Sequence, residues 1–191
     1  MKVYDCTLYH DEDLILELRF NILSKFVDKF VICESKFSHS GREKKLNFDI
    51  KKFPEFKKKI IYLVSTDEPS ELIFDKNSIE KKELPENFRH NAVRRIAHQR
   101  NKLFDGLSEA NEDDFILYSD NDEIPNLDHF NFKNFNKKYV MFEQKLFYYK
   151  FNLFLDKIFW YGTKGCRKKY LNTFEKLRQI KPKVYPFYRA D

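Results

Sequence analysis

Glycine, proline and cysteine are all scarce in this chain of 191 residues. Four Gly and six Pro are too few for low-complexity linkers between domains. No apolar run approaches the roughly 20 residues that a helix needs to span a bilayer. Three consecutive acidic residues at positions 11–13 follow soon after the N-terminus, which argues against an N-terminal signal peptide. The scarcities favour a single globular unit, and we expect it to be cytoplasmic.

The three cysteines, Cys6, Cys33 and Cys166, are too few and too far apart for a metal site of paired cysteines or for a disulfide framework. Cys6 and Cys33 lie within apolar runs. We therefore expect them to be small buried side chains.

The residues that are abundant are aromatic and charged. The chain has 21 Phe and 11 Tyr, and 35% of its residues are charged, so a domain with a sizeable core is expected. The net charge of +6 is unevenly distributed, because residues 124–191 contain 15 Lys and Arg against 5 Asp and Glu. This basic region is either a solvated lysine-rich surface or a face that contacts a phosphorylated substrate or a membrane surface. No nucleic-acid motif is present, and we expect no nucleic-acid partner.

Apolar periodicity predicts an α/β fold with a mainly parallel sheet flanked by helices. In the first helix, the predicted apolar stripe consists of Leu14, Ile15, Leu18, Ile22, Leu23 and Phe26. After Pro125 the pattern changes to a mixed, aromatic-rich part. The predicted strands are residues 3–9, 30–33, 60–64 and 115–118, with one or two more within 139–154, and the predicted helices are residues 11–26, 53–59, 86–107 and 168–180.

The sequence FILYSDNDEIP, residues 115–125, is the strongest functional signal. An apolar strand runs directly into Asp120, Asp122 and Glu123, and burying acids is costly unless something compensates them. A divalent cation is the compensator that we expect, because hard cations bind carboxylate oxygens. Open α/β sheets bind their ligands at this carboxyl edge.

The spacing of Asp120 and Asp122 suits one cation, because side chains two residues apart point the same way in an extended segment. An EF-hand is excluded, since Ile124 and Pro125 occupy its fifth and sixth positions. Magnesium or manganese normally keeps water and binds the phosphates of a substrate. A nucleotide diphosphate is therefore the expected ligand.

Two further features could contribute to such a site. Glu34 follows a predicted strand and is either a surface acid or a hydrogen-bond acceptor for a base or ribose. The helix from residue 86 contains Arg89, Arg94, Arg95 and Arg100. They are either solvated or include one that binds a diphosphate through two hydrogen bonds.

These motifs, in this order, resemble glycosyltransferase family 17, the β-1,4-N-acetylglucosaminyltransferases of the bisecting type. The resemblance covers most of residues 3–180, and its most specific part is the SDNDEIP sequence. The other matching segments are residues 4–14, 17–19 (ELR), 27–34 (VDKFVICE), Gly41, residues 99–101 (QRN), Gly106 and Leu107, Trp160, Gly162, and Leu177 with Arg178.

The resemblance implies a single GT-A-like domain over residues 1–191, with a nucleotide-sugar part in 1–125 and an acceptor part in 126–191. It implies an inverting enzyme that transfers N-acetylglucosamine or a related hexose from a UDP-sugar to a glycan or glycolipid, with Mn²⁺ or Mg²⁺. By position, Asp120 and Asp122 become candidate metal ligands. Glu34, Arg100 and Asp120 become candidate donor-binding residues, and Glu143 is a candidate catalytic base.

Two departures from the family keep other functions open. Family members typically continue into a Gly-Trp-His segment that is absent here, and animal members have a membrane anchor. The chain could instead be a nucleotidyltransferase or phosphotransferase using the same acids, or a non-catalytic nucleotide-sugar-binding protein. A P-loop enzyme is disfavoured, because the sequence has no Walker-type glycine-rich loop.

Overall fold

A central sheet of eight strands organises the chain in the computed structural model, which describes residues 1–74, 84–150, 152–183, 185 and 187–189. The strands are β1 (Val3–Tyr9), β2 (Lys29–Ser35), β3 (Ile60–Ser65), β4 (Phe115–Tyr118), β5 (Tyr139–Phe147), β6 (Phe154–Trp160), β7 (Lys164–Arg167) and β8 (Phe187–Arg189). The helices are α1 (Asp13–Leu23), α2 (Pro85–Lys102) and α3 (Phe174–Gln179). Short 3-10 turns occupy Ile50–Lys52, Leu103–Leu107 and Lys168–Tyr170.

The strand order is β3-β2-β1-β4-β7-β5-β6, and β8 pairs with β5. Strands β1 to β4 are joined by parallel pairs, whereas β7 runs antiparallel to both β4 and β5. β5 and β6 form an antiparallel hairpin, and β8 adds one short parallel pair. The α/β class is confirmed, but the sheet as a whole is mixed. Its parallel pairing is largely confined to the first four strands.

Both faces of the parallel part are covered, which explains why its strands are nearly continuous apolar runs. On one face, Leu16, Phe20 and Leu23 of α1 pack with Phe30 and Phe115. On the other face, the turn after α2 and helix α3 supply Leu103, Leu107, Phe174 and Leu177 against Tyr4 and Cys6. The two layers fix the sheet and hold its carboxyl edge in place.

The inward face of α1 differs from the predicted stripe. Its buried residues are Leu16, Arg19, Phe20 and Leu23, whereas Leu14, Leu18 and Ile22 are exposed. The prediction is confirmed for Leu23 and wrong for Leu14, Leu18 and Ile22, because it excluded an arginine from the core. Arg19 is completely buried, and its spacing from Leu16 and Leu23 is that of one helical face.

Two predicted helices are also wrong in extent. No helix forms at the predicted residues 53–59, of which 54–59 are turns, and the nearest helical turn is Ile50–Lys52, which Asp49 caps by accepting a hydrogen bond from the Lys51 backbone. In the predicted helix at 168–180, only Phe174–Gln179 is α-helical. Thr173 caps it by accepting a hydrogen bond of 3.0 Å from the Lys176 backbone nitrogen, so the helix begins there.

All three cysteines are buried and free, as predicted for Cys6 and Cys33. Among the helices that the structure describes, none is both long and apolar enough to cross a membrane.

Candidate functional site

A cavity of about 690 Å³ opens at the carboxyl ends of β1 and β2, next to the turn that follows β4. Residues 119–123 form this turn, called the acidic turn below. One wall is the loop after β2 and another is helix α2. The lining residues are Leu8, Tyr9, His10, Glu12, Ile15, Ser35, Phe37, Ser38, His39, Ser40, Lys44, Ile96, Gln99, Arg100, Asp120, Asn121 and Asp122.

A second concavity of about 540 Å³ lies near the opposite end of β4, with Asp113, Arg167 and Lys169 among its lining residues. Ligands of open α/β sheets bind at the carboxyl ends of the strands. The cavity beside the acidic turn is therefore the candidate site, as the position of the SDNDEIP sequence predicted.

The acidic turn is closed by its own residues. The backbone nitrogen of Asp120 donates to Oε2 of Glu123 at 2.9 Å, and the backbone nitrogen of Glu123 donates to the carbonyl of Asp120 at 3.1 Å. Glu123 is buried and also accepts a hydrogen bond of 2.8 Å from Nε1 of Trp160. Glu123 therefore holds the turn rather than facing the cavity.

Arg19 fixes the same turn from inside the protein. Its guanidinium pairs with both carboxylate oxygens of Asp5, at 2.6 and 2.7 Å. It also donates to Oγ of Ser119 at 2.6 Å. Its Nη1 lies 3.1 to 3.3 Å from the carbonyl oxygens of Asp120, Asn121 and Glu123. A fork-shaped donor suits this task, because it satisfies several acceptors from one rigid plane.

Asp120 is paired with arginine. Nη2 of Arg178 lies 2.9 Å from its Oδ2, and Nη2 of Arg100 lies 3.6 Å from its Oδ1. Arg100 is held in turn by the hydroxyl of Tyr118, at 2.7 Å, and by Glu175, at 2.7 Å. Positive charge at this strand end therefore comes from side chains of α2 and α3. These arginines compensate the charge of Asp120 in the structure, and the expected divalent cation stays a prediction.

Asp122 is exposed at the cavity. Within the described residues, no three His, Cys, Asp or Glu side chains form a group that could hold a metal alone. Magnesium is commonly bound by one or two carboxylates together with substrate phosphates and water. A metal in this cavity would therefore need a phosphate ligand and water to complete its coordination, with Asp122 as the accessible carboxylate and Asp120 as one that is paired with arginine.

Lys164 adds a third cation behind the turn. It is buried on β7, and its Nζ donates to the carbonyl of Arg178. Burial, together with the neighbouring Arg178, lowers the pKa of Lys164 to about 8. The cations from α2, α3 and β7 thus converge on Asp120 and Glu123.

Glu34 is fully buried at the end of β2. Its oxygens accept hydrogen bonds from Lys44, from the Tyr62 hydroxyl at 2.8 Å, and from the backbone nitrogens of Asn47 and Phe48 at 2.8 and 3.1 Å. Burial raises the pKa of this carboxyl, but the four donors outweigh burial and lower it below its usual value. Glu34 therefore anchors the segment that carries Lys44, and a direct role in donor binding stays a prediction.

Glu143 lies on β5, and its Oε2 accepts a hydrogen bond of 2.9 Å from Tyr161. It does not belong to the lining of the described cavity. Its assignment as catalytic base remains a prediction. The structure does bring Arg100, Asp120 and Asp122 together at the cavity.

Sequence reasoning gave no role to Arg19 or Arg178, although both lie in the segments that resemble the family. Arg19 had a detectable signal, since it occupies a core position of an amphipathic helix. Arg178 had no local signal, because it is 58 residues from its partner Asp120. The polar inner face of α2, formed by Asn91, Arg95 and Gln99, was missed as well, because the helix was predicted from the periodicity of apolar residues alone.

Comparison with known families agrees with this geometry. The model of glycosyltransferase family 17 matches residues 1–181, which is nearly the whole chain. No curated protein matches the chain significantly. The chain therefore belongs to glycosyltransferase family 17, as the sequence resemblance predicted, and is a glycosyltransferase.

Proposed function

We propose that this enzyme is a metal-dependent, inverting transferase that moves N-acetylglucosamine or a related hexose from a UDP-sugar to a hydroxyl group of a glycan or glycolipid. The observation that carries the proposal is the exposed carboxylate of Asp122 in one cavity with Arg100 and Asp120. Anionic and cationic groups side by side suit a metal-bound diphosphate better than either a free cation or a free anion.

The size of the cavity supports a nucleotide-sugar ligand. Its volume of about 690 Å³ lies within the usual range for small-molecule sites. The parallel strands β3-β2-β1-β4, with the acidic turn after β4, also suit a GT-A-like arrangement. In that arrangement the nucleotide would occupy the end near β1 and β2.

In this proposal the metal is Mn²⁺ or Mg²⁺, held by Asp122 and Asp120. When bound, it would supply Lewis-acid stabilisation of the negative charge that develops on the leaving diphosphate.

The arginines have a complementary task. In the described structure Arg178 and Arg100 neutralise Asp120. A diphosphate entering beside Asp120 presents oxygens that can accept from the same guanidinium groups. Arg178 and Arg100 would then pass from Asp120 to the diphosphate and position it. Asp120 would become available as a ligand in the same step.

The reaction replaces one bond at the anomeric carbon of the sugar. An acceptor hydroxyl oxygen forms the new bond, the bond to the diphosphate oxygen breaks, and the nucleoside diphosphate leaves with that electron pair. The hydroxyl proton passes to a base. Attack opposite the leaving group inverts the configuration. Glu143 is the proposed base, and its hydrogen bond from Tyr161 would fix its orientation.

The test is product analysis after incubation with UDP-sugars and hydroxyl acceptors, with and without Mn²⁺. We expect metal-dependent release of UDP and a product of inverted anomeric configuration. Asp122→Ala should lose most of this turnover. Turnover that is unchanged in Asp122→Ala would contradict the proposed role of Asp122, and release of pyrophosphate would indicate a nucleotidyltransferase.

The proposed acceptor side is the basic, aromatic-rich part of the chain. The basic region 124–191 is compatible with an acidic or lipid-linked glycan and with peripheral contact to a membrane surface. Glu143 lies on β5 and Tyr161 directly follows β6, and these two strands form an antiparallel hairpin in the proposed acceptor part.

A further inference from the structure

The hairpin of β5 and β6 concentrates exposed apolar side chains in one short stretch. We call residues 145–150 and 152–160 the aromatic hairpin. Its most exposed large hydrophobic residue is Tyr149, at 90%. The others with more than a third of their surface exposed are Phe147, Tyr148, Leu153, Phe154, Ile158, Phe159 and Trp160. Large exposed apolar clusters mark interaction surfaces in water-soluble domains.

Strand β6 lies at the end of the strand order, and six of its seven residues are exposed. Alternate residues of a strand point to opposite faces. Ile158 and Phe159 therefore expose apolar surface on both faces. A partner that surrounds the hairpin would contact apolar side chains on both faces, whereas a sugar ring would stack against one face only.

The tip of the hairpin presents tyrosines outward. Tyr149 has a positive φ of 63°, a conformation that glycine adopts readily but that is unfavourable for a bulky residue such as tyrosine. Its ring packs edge-to-face against Tyr148, with ring centroids 4.5 Å apart. Tyrosine and tryptophan are the side chains that prefer the boundary between water and lipid, because one end is polar and the body is apolar.

The charges of the hairpin are mainly positive. Lys145, Lys150 and Lys157 are all exposed, and Asp156 is the one acidic residue of the aromatic hairpin. Lysines beside interfacial aromatics attract anionic headgroups. Two copies of the hairpin in contact would instead bring like charges together.

We propose that the aromatic hairpin docks this enzyme on an anionic phospholipid surface, with its aromatic side chains in the headgroup region and its lysines on the lipid phosphates. The proposal does not depend on the identity of the donor or on the metal. Trp160 connects the hairpin to the candidate site, because its Nε1 donates to Glu123 in the acidic turn. A docked hairpin would hold the acceptor side of the site near the membrane.

The test is flotation of the full chain with vesicles of phosphatidylcholine alone and with vesicles of phosphatidylcholine and phosphatidylglycerol in equal parts. We expect binding to the anionic vesicles, little binding to the neutral ones, and loss of binding at high salt. Lys150→Gln with Lys157→Gln should lower the partition coefficient by roughly tenfold or more. Tyr149→Ser with Ile158→Ser should lower it as strongly.

Matched controls separate docking from general loss of charge or apolar surface. Lys57→Gln with Lys58→Gln removes two exposed lysines elsewhere. Leu14→Ser with Phe88→Ser removes two exposed apolar residues, at 74% and 53% exposure. Both control pairs should bind vesicles as the wild type does, and thermal unfolding checks that every variant is folded.

Failure of the wild type to bind anionic vesicles would overturn the proposal. Equal binding to neutral vesicles would overturn the role of the lysines. Light scattering tests whether the hairpin instead binds a second copy of the chain. A wild-type dimer that becomes a monomer in Tyr149→Ser with Ile158→Ser would show this and overturn the proposal.

Discussion

Nη2 of Arg178 lies 2.9 Å from Oδ2 of Asp120 and 3.1 Å from Oε1 of Glu123. An arginine of α3 is thus already ion-paired with Asp120, the first of the two candidate metal ligands. A cation that binds Asp120 must share this carboxylate with Arg178 or displace it. We therefore expect binding of metal and binding of diphosphate to be coupled, because a diphosphate would give the displaced guanidinium a new partner.

Arg178→Met should raise the affinity for Mn²⁺ alone and lower the affinity for UDP-sugar in the presence of Mn²⁺. The gain for Mn²⁺ is expected to be about fivefold at most, because the side chain of Asp120 is partly exposed and solvent weakens the pair. Titration of Mn²⁺ by electron paramagnetic resonance, with and without UDP-sugar, measures both changes. Lys176→Met removes an exposed cation of the same helix and should change neither. Equal Mn²⁺ affinity in wild type and Arg178→Met would contradict the competition.

Arg19→Met should destabilise the fold by about 3–5 kcal/mol, because it leaves Asp5 as a buried charge without its arginine. Asp5→Leu combined with Arg19→Met should recover part of this loss, since no unpaired carboxylate remains. Recovery should be incomplete, because the carbonyls of the acidic turn lose their donor. Urea unfolding of both single variants and the double variant measures the coupling. Simple addition of the two single-variant costs would show that the pair does not act as a unit.

Lowering the pH should reduce the free energy of unfolding, in part because Glu34 becomes protonated. The pKa of Glu34 is lowered in the folded protein, since its hydrogen-bond donors outweigh its burial. The stability that this carboxylate contributes is therefore complete above its unfolded pKa, about 4.3, and is lost as the pH falls through the lower folded pKa.

Glu34→Gln tests that linkage. It should cost about 2 kcal/mol at neutral pH, because hydrogen bonds to a charged acceptor are replaced by weaker ones. The difference between wild type and Glu34→Gln should then shrink on acidification. Urea unfolding at a series of pH values provides the comparison. A difference that stays constant below the unfolded pKa would contradict the assignment of the lowered pKa to Glu34.

The parallel strands were predictable because each is nearly a continuous apolar run. β1 was predicted residue for residue as Val3–Tyr9, and β2, β3 and β4 were predicted within one or two residues at each end. β7 was missed, since the segment Lys164–Arg167 has no apolar pattern. Its Gly165 lies against β4, where an added Cβ would come within 2.7 Å of the Phe115 ring. Close packing of this kind is a tertiary property that local pattern does not reveal.

The helices show a different limit. The periodicity of apolar residues identifies the buried face of a helix only where that face is apolar. Arg19 on α1 and Gln99 on α2 are buried because they have specific polar partners, Asp5 and the carbonyl of Cys33. Those partners lie on neighbouring strands, 14 and 66 residues away along the chain, so the pairings become visible only in the folded structure.

Part of the candidate site could likewise be predicted from the sequence, and part could not. The location of Asp120 and Asp122 followed from a strand that ends in acids, whereas Arg100 was singled out from the arginines of its helix by the family resemblance. The pairing of Arg178 with Asp120 could not be derived from spacing. The role of Glu34 as an anchor for Lys44 depends on backbone donors from residues 47 and 48. No side-chain motif in the sequence indicates such backbone donors.

The central claim is that the cavity beside the acidic turn binds a nucleotide-sugar diphosphate through Asp122 and a divalent metal. Isothermal titration of UDP-N-acetylglucosamine and related UDP-sugars into the full chain, with and without Mn²⁺, tests it most directly. Asp113→Ala is the control, because Asp113 is an exposed acid near the opposite end of β4.

We predict that the wild type and Asp113→Ala bind a UDP-sugar in the presence of Mn²⁺. The affinity should fall by about tenfold or more without Mn²⁺ and in Asp122→Ala. Binding of equal strength in Asp122→Ala and wild type, or no binding of any UDP-sugar by the wild type, would contradict the claim.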